Sequence, residues 1–391
     1  MITFSLILNL LLILTVAWIL GVIFARFGLP VMLGELLAGV VLGPPLLGIV
    51  AASPGIEMLA ELGIFFVMFH TGMEMDPREL AEHIWPSLSV AVGGFVLPFA
   101  MGYFVARLFG GTIYQSLFVG MGVSITAIAV QAVILHSMRI NRTAIGHIIM
   151  GAAIADDILA LIALSTLLGL AKTGSIEILA LAKILLKVGA FFGVTILIGE
   201  FVMPRLVGRL TNESKKAFMF AMTSALAMAY LAELAGLHLI IGAFLAGQFV
   251  RREVVDENVY ESLNNQLYAI SYGFLVPIFF ASLSFHLHLT WSWSFWAFAA
   301  ALILVAILGK LIGCGLGAAA FKFSYRESMI IGFGMNGRGA VELVVATVVL
   351  NLSAVLMETK IISEPLLTQA QFSGLVLMAF ITTLVAPISL K

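Results

Sequence analysis

Two adjacent carboxylates, Asp156 and Asp157, stand in an otherwise apolar stretch of the chain. Between Ala144 and Leu170 the only other ionisable residue is His147. A stretch of this length can cross a bilayer as a helix, which takes about 20 residues. A charged side chain near the membrane centre costs at least about 2.5–3.5 kcal/mol, and intramembrane acids are usually functional. The pair therefore predicts an intramembrane site for a cation or a proton; the alternative is a buried acid pair held by structural partners.

The chemistry expected of this pair is competition between two kinds of cation. Carboxylate oxygens suit a hard metal ion such as Na⁺, as do the hydroxyl oxygens of Ser124 and Thr126 in the preceding apolar stretch. A carboxylate removed from water beside a second acid holds a proton more tightly than one in solution. A proton and a metal cation would then compete for the same oxygens. Such competition is sufficient for antiport if the site crosses the membrane loaded with either species but not empty.

A single lysine, Lys310, lies in the middle of another apolar stretch, Ile307–Gly313. An unpartnered ammonium group at this depth would lose its proton or leave the bilayer. Pairing with Asp156 or Asp157 is the simplest compensation. The alternative is a lysine near the end of a span, whose amine reaches the headgroups.

The composition defines the class of protein and excludes several functions. The hydrophobic fraction is 62%, the charged fraction 10% and the mean hydropathy +1.13, whereas a soluble domain carries about 25% charged residues. We therefore expect an all-α polytopic protein of the lipid bilayer. The sequence contains no phosphate-binding loop, nucleophile constellation or metalloenzyme spacing. It predicts no enzyme, no cofactor beyond the transported ions and no nucleic-acid partner, and the single cysteine, Cys314, excludes an internal disulfide.

Hydropathy and turn signals predict about thirteen membrane spans. The first is interpreted as a retained span because no basic residue precedes Arg26. The predicted spans are residues 5–25, 30–49, 56–74, 85–108, 113–136, 144–170, 177–203, 215–235, 238–250, 263–286, 292–321, 327–350 and 366–389. Most lysines and arginines outside the spans fall in the loops after odd-numbered spans. We expect the protein in the cytoplasmic (inner) membrane, and the positive-inside rule predicts that its N-terminus lies outside and its C-terminus in the cytoplasm.

An internal repeat relates the two halves of the chain. Leu33–Gly39 in span 2 resembles Ile241–Gly247 in span 9, and Phe65–Met73 in span 3 resembles Val276–Ser284 in span 10. The copies are separated by an odd number of spans, so they have opposite orientations in the membrane. Inverted repeats are typical of secondary transporters, whose sites lie at the repeat interface. The alternative is that the shared glycines reflect ordinary small-residue packing between helices.

The same repeat pairs span 5 with span 12, and both are predicted to be interrupted. Interrupted helices at matching positions in two halves are the best sequence indication of a transport site. Arg338 and Glu342 lie four residues apart and are interpreted first as an ion pair that stabilises the break, and second as transport residues. The polar residues assigned to the two breaks are Ser124, Thr126, Gln131, Asn336, Arg338 and Glu342.

These features together resemble the Kef/NapA-type branch of the monovalent cation:proton antiporters. The resemblance implies the sodium/proton antiporter fold, with two crossed unwound helices, elevator-type alternating access and a homodimer. It also implies that Asp157 is the principal ion- and proton-binding carboxylate, with Asp156 beside it and Lys310 as its salt-bridge partner. The matching elements are Gly34–Gly39, Ala127–Gln131, Asp156–Asp157, Lys310 and Gly337–Glu342.

The domain assignment also follows from the resemblance. Residues 1–55 and 171–257 are expected to form the dimerisation or scaffold domain. Residues 56–170 and 258–391 are expected to form the core, or transport, domain.

We therefore predict an antiporter that exchanges Na⁺ or Li⁺ for H⁺, with two protons for one metal ion. The double acid resembles electrogenic sodium/proton exchangers, whereas Ala127–Gln131 is closer to potassium-efflux proteins of the Kef type. K⁺/H⁺ exchange is therefore one alternative. A sodium-coupled symporter of organic anions and a non-transporting ion sensor are two others.

Overall fold

The computed structural model describes residues 4–173, 178–203, 205, 214–252, 254–287, 292–339, 345–346, 349–350, 353, 356–359, 362 and 364–390. All the regular secondary structure in these residues is helical. The helices of the first half are α1 (Phe4–Arg26), α2 (Val31–Leu42), α3 (Pro54–Glu74), α4 (Pro77–Glu82), α5 (Ile84–Leu108), α6 (Ile113–Ser124), α7 (Ile128–Ser137) and α8 (Ala144–Thr173). Those of the second half are α9 (Ile178–Leu197), α10 (Ser214–Ala235), α11 (Leu239–Gly247), α12 (Glu257–Ile270), α13 (Val276–Leu283), α14 (Trp293–Ala319), α15 (Tyr325–Gly334) and α16 (Gln369–Ser389).

The prediction of an all-α polytopic membrane protein is confirmed. Ten helical stretches of the described chain are long and apolar enough to cross a bilayer, and Val31–Leu42 and Leu239–Val250 are shorter apolar helices. Predicted span 12 is described only in part, with helix α15 at its start. The count of thirteen spans therefore stays a prediction.

Local sequence signals explain where several helices begin. Thr112 at the start of α6 and Ser324 at the start of α15 each form a capping box, with Gln115 and Glu327 three residues later. In each box two otherwise unsatisfied backbone N–H groups each donate to the side chain of the other residue. The two helices that lead into the predicted breaks therefore start with the same device.

The described chain forms two compact units. The first comprises Met1–Glu82, Arg139–Thr143 and Ala182–Phe285, and the second comprises His83–Met138, Ala144–Leu181 and His286–Lys391. By packing, α3 and the helices of residues 257–283 belong to the first unit. The sequence prediction instead grouped these residues with the core domain. The physical reason is that α3 packs closely on α11, and α13 on α2. Which unit serves as scaffold and which as transport domain stays a prediction.

Two close glycine contacts organise the first unit. A methyl group on Gly39 of α2 would overlap the backbone of Ala281 in α13, and one on Gly247 of α11 would overlap the backbone of Phe69 in α3. The predicted repeat exchanges α2 with α11 and α3 with α13. The two contacts join helices that the predicted repeat exchanges, and the inverted repeat itself stays a prediction.

In the second unit, glycines bring α5 and α14 together. The backbones of Gly93 and Gly313 are in such close contact that a methyl group on either would overlap the other. Gly309 packs in the same way on Pro98 of α5. Without side chains at these points, two helix backbones can approach closely. Lys310 lies between these glycines and is thereby fixed inside the unit, where its side chain has no solvent exposure.

Candidate ion-binding site

The first break lies between α6 and α7. Helix α6 ends at Ser124, and Ile125 and Ala127 have extended backbone conformations (φ −62°, ψ 141° and φ −94°, ψ 105°) before α7 begins at Ile128. The predicted interruption of span 5 is thus confirmed. The N–H of Ile125 still donates to the carbonyl oxygen of Met121 at 3.2 Å, whereas the carbonyl of Ile125 and the N–H of Ala127 lie outside the helical pattern and are bonded to other partners.

The second break follows α15. The helix ends at Gly334, and residues 335–339 are not helical. Asn336 donates from Nδ2 to the carbonyl oxygen of Gly332 at 3.1 Å, which covers one carbonyl left open at the helix end. Glu342 lies outside the described residues, so its predicted pairing with Arg338 stays a prediction.

The two breaks are joined directly through one carbonyl group. The carbonyl oxygen of Gly337 accepts hydrogen bonds from the backbone N–H of Ala127 and from Nε2 of Gln131, each at 3.1 Å. Gln131 has no solvent exposure. It therefore ties the start of α7 to the break after α15.

Arg338 places a positive charge at the C-terminal end of α6. Its side chain is fully buried, and Nη1 donates to the carbonyl oxygens of Ile125 at 2.9 Å and Gly122 at 3.3 Å. A helix C-terminus carries partial negative charge on its open carbonyls, so a cation there is stabilising. The backbone of Arg338 is held by Thr383 of α16, whose Oγ1 accepts from its N–H at 2.9 Å and donates to its carbonyl at 2.6 Å.

Asp156 is fully buried and has specific partners. Its Oδ2 accepts a hydrogen bond from the backbone N–H of Thr126 at 2.7 Å. Lys310 Nζ lies 3.4 Å from Oδ1 and 3.5 Å from Oδ2. The predicted compensation of the buried lysine by an acid is therefore present, and the acid is Asp156. The resemblance had placed Lys310 beside Asp157.

Asp157 differs sharply from its neighbour. Its side chain is 8% exposed, and among the described residues neither of its carboxylate oxygens has a hydrogen-bond partner. An isolated carboxylate in such a place is costly unless it binds a proton or a cation. The two acids therefore have different surroundings: Asp156 is satisfied by protein groups, whereas neither oxygen of Asp157 has a partner among the described residues.

The two hydroxyl residues proposed as ligands are both buried beside the first break. The hydroxyl of Ser124 donates to the carbonyl oxygen of Met121 within its own helix at 2.7 Å. Thr126 reaches Asp156 through its backbone N–H, as described above. Direct participation of either hydroxyl in ion binding stays a prediction.

Sequence reasoning missed several groups that build this region. The backbone N–H of Thr126 and the carbonyl of Gly337 carry no side-chain signal. Thr383 did have one, since it is half of a Thr382–Thr383 pair inside an apolar span. Two other acids of the predicted spans have different surroundings. Glu74 accepts a hydrogen bond from Asn141 Nδ2 at 2.7 Å, and Glu233 is exposed.

The fold and this site define a class of protein. A polytopic helical protein with buried acids beside two interrupted helices has the form of a secondary active transporter for small cations. More specifically, the chain belongs to the sodium/hydrogen exchanger transmembrane family, whose model matches residues 10–391. Members of this family are transporters and not enzymes.

Individual relatives agree with this assignment. The chain is 32% identical over 373 residues to the Na⁺/H⁺-K⁺ antiporter GerN of Bacillus cereus, covering 95% of this chain and 92% of that protein. It is 30% identical over 368 residues to a Na⁺/H⁺ antiporter of Enterococcus hirae, covering 94% and 92%. The solved structure of the sodium proton antiporter MjNhaP1 from Methanocaldococcus jannaschii matches with a TM-score of 0.77 at 18% identity, covering 98% of this chain and 94% of that one. The last likeness shows the fold.

Proposed function

We propose that this protein exchanges Na⁺ for H⁺ across the cytoplasmic membrane, with Li⁺ as a second substrate. The observation that carries the proposal is Asp157, a buried intramembrane carboxylate whose two oxygens have no partner among the described residues. The family supports the class of reaction, and the names of its relatives support sodium.

The mechanism follows from the competition for Asp157. A proton bound to this carboxylate neutralises it, and Na⁺ bound there does the same. Either form can cross a low-dielectric region, whereas the empty, charged form cannot do so readily. Exchange of one species for the other is therefore obligatory. The site would reach the two sides through elevator-type movement of a transport domain in a homodimer.

The exchange of two protons for one Na⁺ is supported by the second ionisable pair. Asp157 supplies one proton when Na⁺ arrives. If Na⁺ also draws Asp156 into its coordination, Lys310 loses its carboxylate partner, and a buried ammonium without a partner releases its proton. The cycle then moves one net charge, which is worth about 2.3 kcal/mol per 100 mV.

The orientation in the membrane is proposed from the distribution of basic residues. Loops such as Arg139–Thr143 and the segment containing Arg251 and Arg252 belong to the basic set. The positive-inside rule places these loops in the cytoplasm, the N-terminus outside and the C-terminus inside.

Potassium exchange is the second candidate, and a specific observation favours it. GerN is named as a Na⁺/H⁺-K⁺ antiporter, so a relative of similar length is described with both ions. The expected order for this chain is sodium before potassium because of the double acid.

The test is a flux assay with purified protein in liposomes that carry an internal pH indicator. We expect Na⁺ and Li⁺ gradients to drive proton movement, with a smaller response to K⁺, and we expect the rate to depend on an imposed membrane potential. A response insensitive to potential would remove the electrogenic stoichiometry. Absence of a pH response to every monovalent cation would refute antiport, and sodium uptake that requires an organic anion would favour symport.

A further inference from the structure

A cavity of about 270 Å³ lies in the first unit, where α3, α10 and the start of α11 meet. Helix α11 packs on both α3 and α10. Several lining side chains, such as Met58 and Leu226, are exposed, so the cavity opens at the surface of the unit. An exposed apolar surface of a membrane protein contacts lipid chains or a partner. The apolar lining residues are Met58, Leu62, Phe65, Leu226, Ala229 and Leu239.

Two carboxylates, Glu61 of α3 and Glu233 of α10, line the same cavity, and both side chains are exposed. Both helices are long and apolar enough to cross a bilayer. Glu61 is seven residues after Pro54, the first residue of α3, which is a rise of about 10.5 Å. A carboxylate at such a depth is costly unless a cation or a proton accompanies it. Neither acid forms an ion pair with a described residue.

The histidine that interacts electrostatically with Glu233 does not supply the missing positive charge. This residue is His238, which immediately precedes α11. Its Nδ1 accepts a hydrogen bond from the backbone N–H of Ile240 at 3.5 Å. An imidazole nitrogen that accepts a hydrogen bond carries no proton, so the ring is neutral. A cation for the two acids therefore has to come from outside the described residues.

A lipid whose headgroup ends in a primary ammonium group has the chemistry that this cavity requires. Such a group has three N–H donors, enough to bond to Glu61 and Glu233 together. Tyr230 lies on the same wall and has an aromatic ring, which attracts ammonium groups. The acyl chains of the same molecule match the apolar lining. A headgroup with net negative charge would be repelled by the acids, and a trimethylated ammonium group has no N–H to donate.

The position of the cavity along the helices assigns it to one leaflet. Its lining residues fall within the first twelve residues of α3 and the last ten of α10. In the proposed orientation, α3 begins and α10 ends at the outer face of the membrane. One leaflet is about half of the hydrocarbon core, or about 15 Å. The cavity is therefore within reach of lipids of the outer leaflet.

We propose that this cavity binds phosphatidylethanolamine from the outer leaflet, with the ammonium group between Glu61 and Glu233 and an acyl chain along the apolar lining. The bound lipid joins α3 to α10 and stabilises the first unit. The site is distinct from Asp157, which belongs to the second unit. The proposal goes beyond ion exchange and uses the proposed orientation only to assign the leaflet.

The experiment measures lipid binding to purified, delipidated protein in detergent. Phosphatidylethanolamine, phosphatidylcholine and phosphatidylglycerol with identical acyl chains are added in turn, and native mass spectrometry and thermal unfolding report binding. We expect the apparent affinity for phosphatidylethanolamine to be higher by about tenfold or more, since one hydrogen bond to a charged group can supply that factor. Because a ligand of the folded state stabilises it, this lipid should also give the largest rise in melting temperature.

The double substitution Glu61→Gln with Glu233→Gln should remove this preference, because the cavity keeps its shape but loses both charges. Glu200→Gln is the matched control and should keep the preference. Glu200 is also an exposed acid of the first unit, in an apolar helical stretch long enough to cross a bilayer, but it does not line the cavity. Should the double variant be unstable, Leu62→Trp replaces it. An indole at that position would fill the cavity and weaken the binding of all three lipids.

The outcomes decide between this lipid and other occupants. Selective binding that the double substitution removes and Glu200→Gln keeps supports the site. Equal binding of phosphatidylethanolamine and phosphatidylcholine, an equal loss in the control, or unchanged binding by Leu62→Trp overturns it. Disulfide cross-linking of Leu226→Cys between two copies in membranes would also overturn it, by showing that a second copy covers the cavity. The native Cys314 is buried and does not interfere.

Discussion

Lys310 Nζ lies 3.4 Å from Oδ1 of Asp156, and neither side chain has any solvent exposure. The pair is closed to water, and its acid also accepts a hydrogen bond from the break in span 5. The neighbouring acid, Asp157, has no comparable partner among the described residues. Asp156 and Asp157, successive residues of α8, therefore differ in their protein partners. Substitutions at the two positions should change stability in different directions.

Asp157→Asn should abolish exchange. The substitution keeps the size of the side chain but removes the charge that binds a cation or a proton. Because the carboxylate has no hydrogen-bond partner in the described protein, its neutralisation should leave the melting temperature unchanged or raise it. The measurements are liposome flux and thermal unfolding in detergent. Full transport by this variant would contradict the site assignment.

Asp156→Asn should have the opposite effect on stability. It leaves Lys310 buried without its counter-charge, and loss of one partner of a buried pair costs about 3–5 kcal/mol. We expect a lower melting temperature and weakened or electroneutral exchange. A melting temperature equal to that of the wild type would show that the buried pair contributes little.

The pair itself can be tested by a double-mutant cycle. Lys310→Gln alone should lower the melting temperature because it leaves a buried carboxylate uncompensated. Combining it with Asp156→Asn removes both charges, and the double variant should regain much of the lost stability. Additive losses of the two single substitutions would show that the two side chains do not interact.

Arg338→Met should destabilise the broken region. The arginine donates to the carbonyl oxygens of Ile125 and Gly122, and each hydrogen bond from a charged group contributes about 1.5–3 kcal/mol. We expect a lower melting temperature together with reduced transport. Arg107→Met is the matched control, because Arg107 also donates to a carbonyl, that of Gly111, but at the partly exposed end of α5. An equal effect of the two substitutions would refute a special role for Arg338.

Gly313→Ala should disrupt the contact between α5 and α14. The added methyl group would overlap the backbone of Gly93, forcing the helices apart and moving Lys310 relative to Asp156. Both stability and transport should fall. The control is Gly189→Ala in α9, where a methyl group meets nothing within 4 Å and where alanine should stabilise the helix by about 0.5–1 kcal/mol. Tolerance of Gly313→Ala would show that this close packing is not required.

The sequence shows which apolar spans carry charged side chains, for a physical reason. A carboxylate or an ammonium group inside an apolar span is costly, so Asp156, Asp157 and Lys310 stand out, and the need for charge compensation predicts that the lysine pairs with an acid. The two breaks are likewise predictable, because glycine and polar residues interrupt apolar helices at matching places in the repeat.

The uncharged parts of the site could not be predicted in the same way. Backbone groups of Thr126 and Gly337 look like those of any other residue in a sequence. For Arg338, the sequence offers an acid four residues away as a partner and carries no sign that its guanidinium donates to the carbonyl oxygens of Gly122 and Ile125. The packing inside each compact unit depends on glycine contacts between helices far apart in the chain, and composition does not show such contacts.

The carbonyl of Gly337, shared between Ala127 and Gln131, has a consequence for how relatives of this protein can diverge. This one carbonyl accepts hydrogen bonds from both donors of the first break. A change in the backbone path of residues 335–339 would therefore leave the N–H of Ala127 and the side-chain amide of Gln131 without an acceptor. Ion preference is therefore expected to evolve through coordinated replacements in the two halves of the chain, so that residues 125–131 and 335–339 should co-vary across homologues.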